Sequence, residues 1–327
     1  MRIRKIINSK LITTGLLATG LFFSQAVIAK KVHIATTAIV EHPALDSVRD
    51  GIHAVLKENG YDDSNLKFTY ESAQGQPAIA AQIARKLMGE QPDVIVAIAT
   101  PSAQAMVSAA QGSNTPVVFS AVTDPLGAKL IGNMEKPGAN VTGLSDMVNV
   151  KQHLLLMKEF NPKLKTIGIP FNPGESNSVA IVEALKIVAA TMNIKVIESA
   201  APKSSDVMLA TKQLVGKVDA IYCPTDNTII SALESVVKVG IDAQIPVFAA
   251  DTDSVKRGAV AAVGYDYFDL GRQTGQLVLQ ILKGEKAGDI PVKMAQGTSL
   301  FVNPKMARKM GITIPESVLA RATEIVE

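Results

Sequence analysis

Short polar residues collect in this sequence wherever an apolar run gives way to a helical pattern. Glu41-His42 precedes Pro43, Thr100-Pro101-Ser102 follows an apolar run, and Ala121-Val122-Thr123-Asp124 follows another. Further along stand Asn172-Pro173-Gly174-Glu175-Ser176-Asn177, Pro224-Thr225-Asp226-Asn227 and Ala250-Asp251-Thr252. Taken singly, each is explained by helix capping, where a Ser, Thr, Asp or Asn oxygen contributes about 1 kcal/mol. Taken as a set, they offer hydroxyls, amides and free helix N–H groups that suit a carboxylate. Asp226 and Asp251 suit an ammonium group. Both together are what a zwitterion requires, and the simplest zwitterion is an amino acid. The candidate ligand contacts are Glu41, His42, Thr100, Ser102, Ala121, Thr123, Asn172, Asn177, Asp226, Asn227 and Asp251.

Catalytic chemistry is poorly served. The sequence holds no GxSxG elbow, no GxxxxGK[ST] loop and no GxGxxG after a strand. Four histidines lack metal-ligand spacing, and a single cysteine, Cys223, excludes an intramolecular disulfide, a multi-cysteine metal site and an iron–sulfur cluster. Cys223 ends a strand pattern and reads as a small buried hydrophobe. His42 reads as a ligand contact or cap before it reads as a base. No catalytic residue, metal or cofactor is expected.

The elements that would carry these turns alternate. Val32–Ala35, Leu66–Tyr70, Asp93–Ile98 and Pro116–Phe119 read as strands, separated by helical patterns over Pro43–Asn59, Ala78–Met88 and Ser102–Ala110. A second series places strands at Thr166–Ile169, Ile194–Ile197, Ala220–Tyr222, Val247–Ala249 and Ala259–Val263. Helices are expected over Gln152–Phe160, Val179–Met192, Ser205–Val215, Thr228–Val239 and Leu270–Leu282. Continuous β-branched runs between helices mark parallel sheets covered on both faces. Two such series imply an α/β fold of two doubly wound, Rossmann-like lobes. Expected crossings at Gly143–Ser145, around Gly264-Tyr265 and near Gly297 make a hinge of several segments. The first lobe then comprises 30–144 plus about 266–297, and the second 145–265 plus about 298–327.

Residues 1–29 carry four bases and no acid, with an uncharged stretch from Leu11 to Ala29. This is the layout of a secretory signal peptide cut after Ala29, and no cysteine lies near the cut to take a lipid. The expected location is the periplasm. The formal charge of +3 belongs to that leader: the remainder holds 29 bases against 30 acids. Nucleic-acid binding therefore has no support from charge. At 47% hydrophobic and 19% charged, the chain is neither disordered nor polytopic.

The strings EHPALDSVRDGI, ATPSAQA, PVVFSAVTDPLGAKL, PGANVTGLSD, FNPGESNS, GKVDAIYCPTDNTIISAL, DTDSVKRGA and GYDYFDLGRQTG resemble, in this order, the motifs of one family. It is the ABC-transporter substrate-binding proteins of the tryptophan/tyrosine-binding type, with the type I periplasmic-binding-protein fold. The resemblance spans residues 32–315. It implies capture of a small ligand, an aromatic amino acid in known members, and delivery to an inner-membrane permease. By the same resemblance Thr100–Ser102 and Ala121–Thr123 look like first-lobe contacts, and Asn172, Asp226 and Asp251 like second-lobe contacts. The sequence has no tryptophan, which leaves Phe171, Tyr222, Tyr265 and Tyr267 among the few rings able to stack on a ligand. A periplasmic sensor for a membrane receptor, or a nucleoside or purine binder, is compatible with the same residues. A soluble carrier of this kind works as a monomer.

Overall fold

The computed structural model describes residues 30–327; the expected leader lies outside them. In chain order the first elements are β1 (Val32–Ala38), α1 (Pro43–Glu58), β2 (Leu66–Ser72), α2 (Pro77–Glu90), β3 (Val94–Ile98), α3 (Thr100–Ala109), β4 (Val117–Val122) and β5 (Val141–Ser145). There follow α4 (Val150–Phe160), β6 (Thr166–Phe171), α5 (Ser176–Thr191), β7 (Lys195–Ala200), α6 (Val207–Lys212), β8 (Ala220–Cys223), α7 (Asn227–Ser231), α8 (Leu233–Ala243), β9 (Val247–Ala249), α9 (Asp253–Lys256) and β10 (Ala261–Tyr265). The chain ends with α10 (Tyr267–Leu282), β11 (Lys293–Met294), β12 (Thr298–Val302), α11 (Pro304–Lys309), α12 (Glu316–Leu319) and β13 (Glu324–Ile325).

Two sheets result. The first runs β11-β5-β4-β3-β1-β2 and is parallel throughout. The second runs β13-β12-β10-β9-β8-β6-β7 and is parallel except where β12 meets β10. Strands β3 and β4 have no exposed residue, as expected for a sheet covered on both faces. Each sheet has its own apolar cluster, one built around Ile34, Ile95 and Phe119, the other around Ile167, Tyr222 and Val247. In the first sheet strand order reverses between β1 and β3, and in the second between β6 and β8. Loops beyond the carboxyl ends of strands at such a reversal are where ligands bind in open α/β sheets. The reversals carry the turns at His42 and Thr100 in one sheet, and at Asn172 and Asp226 in the other.

Several boundaries differ from expectation. Val141–Ser145 is a buried strand rather than a crossing. Gly143 signals a break in the sequence, but it is there because a Cβ would lie 2.3 Å from the Phe119 carbonyl oxygen of the neighbouring strand. The chain therefore leaves the first lobe at Asp146. The helix expected over Thr228–Val239 is broken at Ala232 into α7 and α8. That over Ser205–Val215 reduces to a 3₁₀ turn and α6. The strand expected at Ala259–Val263 sits two residues later, as β10.

Helix α10 follows the second lobe in sequence but packs on α1 of the first. Glycines allow the contact. A Cβ at Gly271 would stand 2.2 Å from the Val48 carbonyl oxygen, and one at Gly51 2.2 Å from that of Phe268. Both helices begin at the interlobe cleft, so this close backbone contact fixes the spacing of two of its walls.

Candidate functional site

A small cavity of about 20 Å³, room for little more than one water-sized group in this conformation, lies between the lobes. Its first-lobe wall is His42, Ala44, Leu45, Ala121, Thr123, Asp146 and Tyr267; its second-lobe wall is Asn177, Thr225, Asp226, Asn227, Ile230 and Asp251. Of the sequence-derived candidates, His42, Ala121, Thr123, Asn177, Asp226, Asn227 and Asp251 meet here. Glu41 is exposed and outside the lining. Asn172 lines a wider outer trough of about 760 Å³ with Gln74, Pro101 and Lys203. Thr100 and Ser102 are buried in the first turn of α3, and their hydroxyl oxygens have no hydrogen-bond partner.

His42 caps α1: its Nδ1 accepts weakly from the Leu45 N–H at 3.5 Å. Burial, then the Arg257 charge, pushes its pKa down to about 3, so the ring is neutral. Its hydrogen bond to Asn227 reaches across to the second lobe. Thr123 Oγ1 likewise lies 3.3 Å from Thr225 Oγ1, and Gln104 Nε2 donates to Ser176 Oγ at 3.3 Å. These contacts hold the rims together. Ala121 and Ala99 adopt positive φ, 54° and 71°, a strained conformation for a residue with a Cβ. At Ala121 the strain accompanies a register shift between β4 and β5, which turns the end of β4 toward the cleft.

Three aspartates face the cavity, each in a different setting. Asp226 caps α7: one oxygen accepts from Ile229 N–H at 2.9 Å, the other from Asn172 N–H at 2.6 Å and Ser178 Oγ at 2.5 Å. Burial, reinforced by the Glu175 charge, raises its pKa. Most of its accepting capacity is spent inside the lobe. Asp251 accepts from Ser254 N–H at 2.8 Å and Ser254 Oγ at 2.6 Å, one bond on each oxygen. Asp146 also accepts one bond on each oxygen, from Thr123 Oγ1 at 3.2 Å and Tyr267 Oη at 2.8 Å. Burial raises both pKa values. Each of these two carboxylates keeps lone pairs for a further donor. Asn177 adds a third acceptor: its amide nitrogen donates to Glu175 and the Thr225 carbonyl, leaving a buried Oδ1 without a partner.

Sequence reasoning missed Asp146, Thr225 and the organising role of Glu175. Asp146 follows β5, whose Gly143 reads as a crossing in the sequence. Glu175 is buried and ties the second-lobe rim together, accepting from Thr228 N–H and Oγ1 at 3.0 and 2.7 Å through one oxygen. Its other oxygen accepts from Asn227 N–H and Nδ2 at 3.1 and 2.6 Å and from Asn177 Nδ2 at 3.1 Å. Of the rings considered for stacking, Tyr267 lines the cavity. Tyr222 is sealed beneath it, its hydroxyl 2.6 Å from His153 Nδ1. Cys223 is fully buried, and burial pushes its thiol far above the usual range. Among the described residues, no group of three or more His, Cys, Asp or Glu could hold a metal ion.

Comparison with known proteins gives the lineage. A profile of the family described as ABC transporter substrate binding protein matches residues 33–326. A tyrosine-binding protein from Clostridioides difficile (strain R20291) is 40% identical over 275 residues, 84% of this chain and 79% of the relative. The crystal structure of an ABC domain in complex with L-Trp from Streptococcus pneumonia is 37% identical and covers 91% of this chain and 100% of its own, with a TM-score of 0.87. The ligand-free, open structure of a substrate-binding protein with adhesive properties from Clostridium difficile is 39% identical and covers 90% and 99%, with a TM-score of 0.68.

Proposed function

We propose that this chain, which belongs to the ABC transporter substrate-binding proteins, captures an aromatic amino acid between its lobes and delivers it to an inner-membrane ABC permease. Proteins of this family work outside the cytoplasm. With the leader cut after Ala29, the mature chain would be free in the periplasm and act as a monomer.

The observation that carries the reading is the charge of the cavity. Asp146, Asp251 and the unpartnered Asn177 Oδ1 present acceptors, and no lining residue is a cation, since His42 is neutral. Three acceptors suit the three N–H bonds of an ammonium group. The ligand's carboxylate goes to the first turn of α1, where helix N–H groups favour an anion. Leu45, Ile230 and Tyr267 leave an apolar side for the ring. The named ligands of two relatives, tyrosine and L-Trp, agree with this placement.

Capture proceeds by hinge closure, with the first lobe, 30–146 plus about 266–297, turning against the second, 147–265 plus about 298–327. At nearly equal identity, the conformation described here superposes better on the L-Trp complex than on the open, ligand-free relative, which supports reading it as the closed form. As in a carrier of the substrate-binding family, the ligand leaves unchanged. Calorimetric titration of residues 30–327 with L-tryptophan, L-tyrosine and L-phenylalanine, against nucleosides and sugars, tests the reading. Saturable 1:1 binding of an aromatic amino acid is expected. Binding of a nucleoside or sugar with no response to any amino acid overturns it, and N-terminal sequencing of the exported protein checks the cut.

A further inference from the structure

We propose that Asp146 and Asp251 form a charge gate, one carboxylate on each side of the cleft, which holds the lobes apart until a ligand's ammonium group sits between them. The proposal rests on the functional reading above and adds what makes closure depend on the ligand. Asp146 belongs to the first lobe. Its N–H donates to the Val122 carbonyl at 3.2 Å, and its carboxylate takes bonds from Thr123 and from Tyr267 at the head of α10. Asp251 belongs to the second lobe, at the end of β9, fastened to Ser254. Both line one cavity, and both are at most 3% exposed.

Nothing on the protein side neutralises the pair. Arg257, whose charge acts on Asp251, is held by both oxygens of Glu234 at 2.8 and 2.9 Å and by the Ile230 carbonyl at 2.8 Å. His42 is uncharged at neutral pH. Asp253 adds negative charge beside Asp251 on the second-lobe side. Bringing two carboxylates together out of water is unfavourable until a cation joins them, and then each attracts the same partner. The partnerless Asn177 Oδ1 in the same lining supplies the third acceptor. Asp146 also sits where the chain first leaves the lobe, and its partner Tyr267 where it first returns. The ligand's charge is thus received at the hinge itself. The gate makes the amino group a requirement for closure rather than one contact among several, so it sets specificity against acids of the same shape that lack it.

Asp146→Asn and Asp251→Asn keep the shape of each side chain. The amide oxygen can accept from Tyr267 Oη or Ser254 N–H, and the amide nitrogen can donate to Thr123 Oγ1 or Ser254 Oγ. Small-angle scattering of wild type and both variants, alone, with L-tryptophan and with its desamino analogue 3-(indol-3-yl)propanoate, reads lobe opening. Wild type should be open alone, closed with L-tryptophan and open with the analogue. Each variant should be more compact than wild type without ligand, with melting temperatures no lower. The preference for L-tryptophan over the analogue should fall by more than about tenfold. If wild type closes on L-tryptophan while both variants stay as open as wild type without it, the gate is refuted. If wild type binds and closes on no aromatic amino acid, the functional reading fails and the gate with it.

Discussion

Replacing Glu175 by Gln removes one charge and one acceptor from the second-lobe rim while keeping its volume. An amide at this position has one oxygen. Turned toward Asn227, it leaves the Thr228 N–H facing an NH₂ group; turned toward Thr228, it leaves the Asn227 N–H and side-chain amide facing one. The better choice still strands one buried backbone donor and replaces charge-assisted bonds with neutral ones. A stranded donor costs about 1–3 kcal/mol, and charge-assisted bonds are about twice as strong as neutral ones. The loss comes to about 2–4 kcal/mol, reduced in part because Asp226 no longer feels the Glu175 charge. For the unit Lys31–Glu327, at about 2.1 cal/mol/K per residue, that is a fall in melting temperature of about 3–6 °C. Asn177 and Asn227 line the cavity, so ligand affinity should drop as well. Circular dichroism melts give the first quantity. The second can be read from the emission of bound L-tryptophan, because the chain has no tryptophan of its own. A variant melting within a degree of wild type with unchanged affinity would refute the role given to Glu175.

Gly271→Ala should lower the melting temperature and weaken ligand binding, because a backbone carbonyl 2.2 Å from the new Cβ cannot yield without parting α1 and α10; overpacking of this kind costs about 1–3 kcal/mol or more. Gly89→Ala on α2 meets nothing within 4 Å and should melt at or above wild type, so equal effects of the two would defeat the close-packing account. Burial lowers the pKa of His42 to about 3 and of His153 to about 4. Below the ordinary value of 6.5 the unfolded chain takes up protons that these two rings refuse, so their contribution to stability falls as pH drops from 6.5 toward 4. Asp253, raised to about 6 chiefly by burial, works in the opposite sense as pH rises, so the rings are best followed singly by NMR. Their resonances should keep neutral positions down to about pH 5; a midpoint near 6.5 for either ring would be the contrary result.

How much of this was legible in the sequence follows from what each signal measures. Unbroken runs such as Val94–Ile98 report burial on both faces directly, and the order of two doubly wound lobes came with them. Polar residues at the junction of such a run with a helix found His42, Thr123, Asn177, Asp226 and Asp251, because that junction is where helix capping and ligand contact coincide. The same rule was blind to Asp146. Its strand, Val-Thr-Gly-Leu-Ser, is short and contains a glycine that local pattern reads as a break, whereas the glycine answers to Phe119 on the next strand. Nor could spacing separate the three aspartates. Asp226 takes three donors, Asn172 N–H, Ser178 Oγ and its own cap's Ile229 N–H, where Asp146 takes two, from Thr123 and Tyr267; four of the five come from distant segments that no local window contains.

The three passages of the chain between the sheets also govern how the molecule can be made. β11 completes the first sheet beside β5, α10 covers α1, and β12 and β13 finish the second sheet. Neither half corresponds to a continuous stretch that could be excised or could mature alone at the ribosome. Pairings of such long sequence separation form late and slowly. A polypeptide with this connectivity completes neither sheet until residues beyond 292 are available. Both halves therefore reach their full pairing only near the end of synthesis.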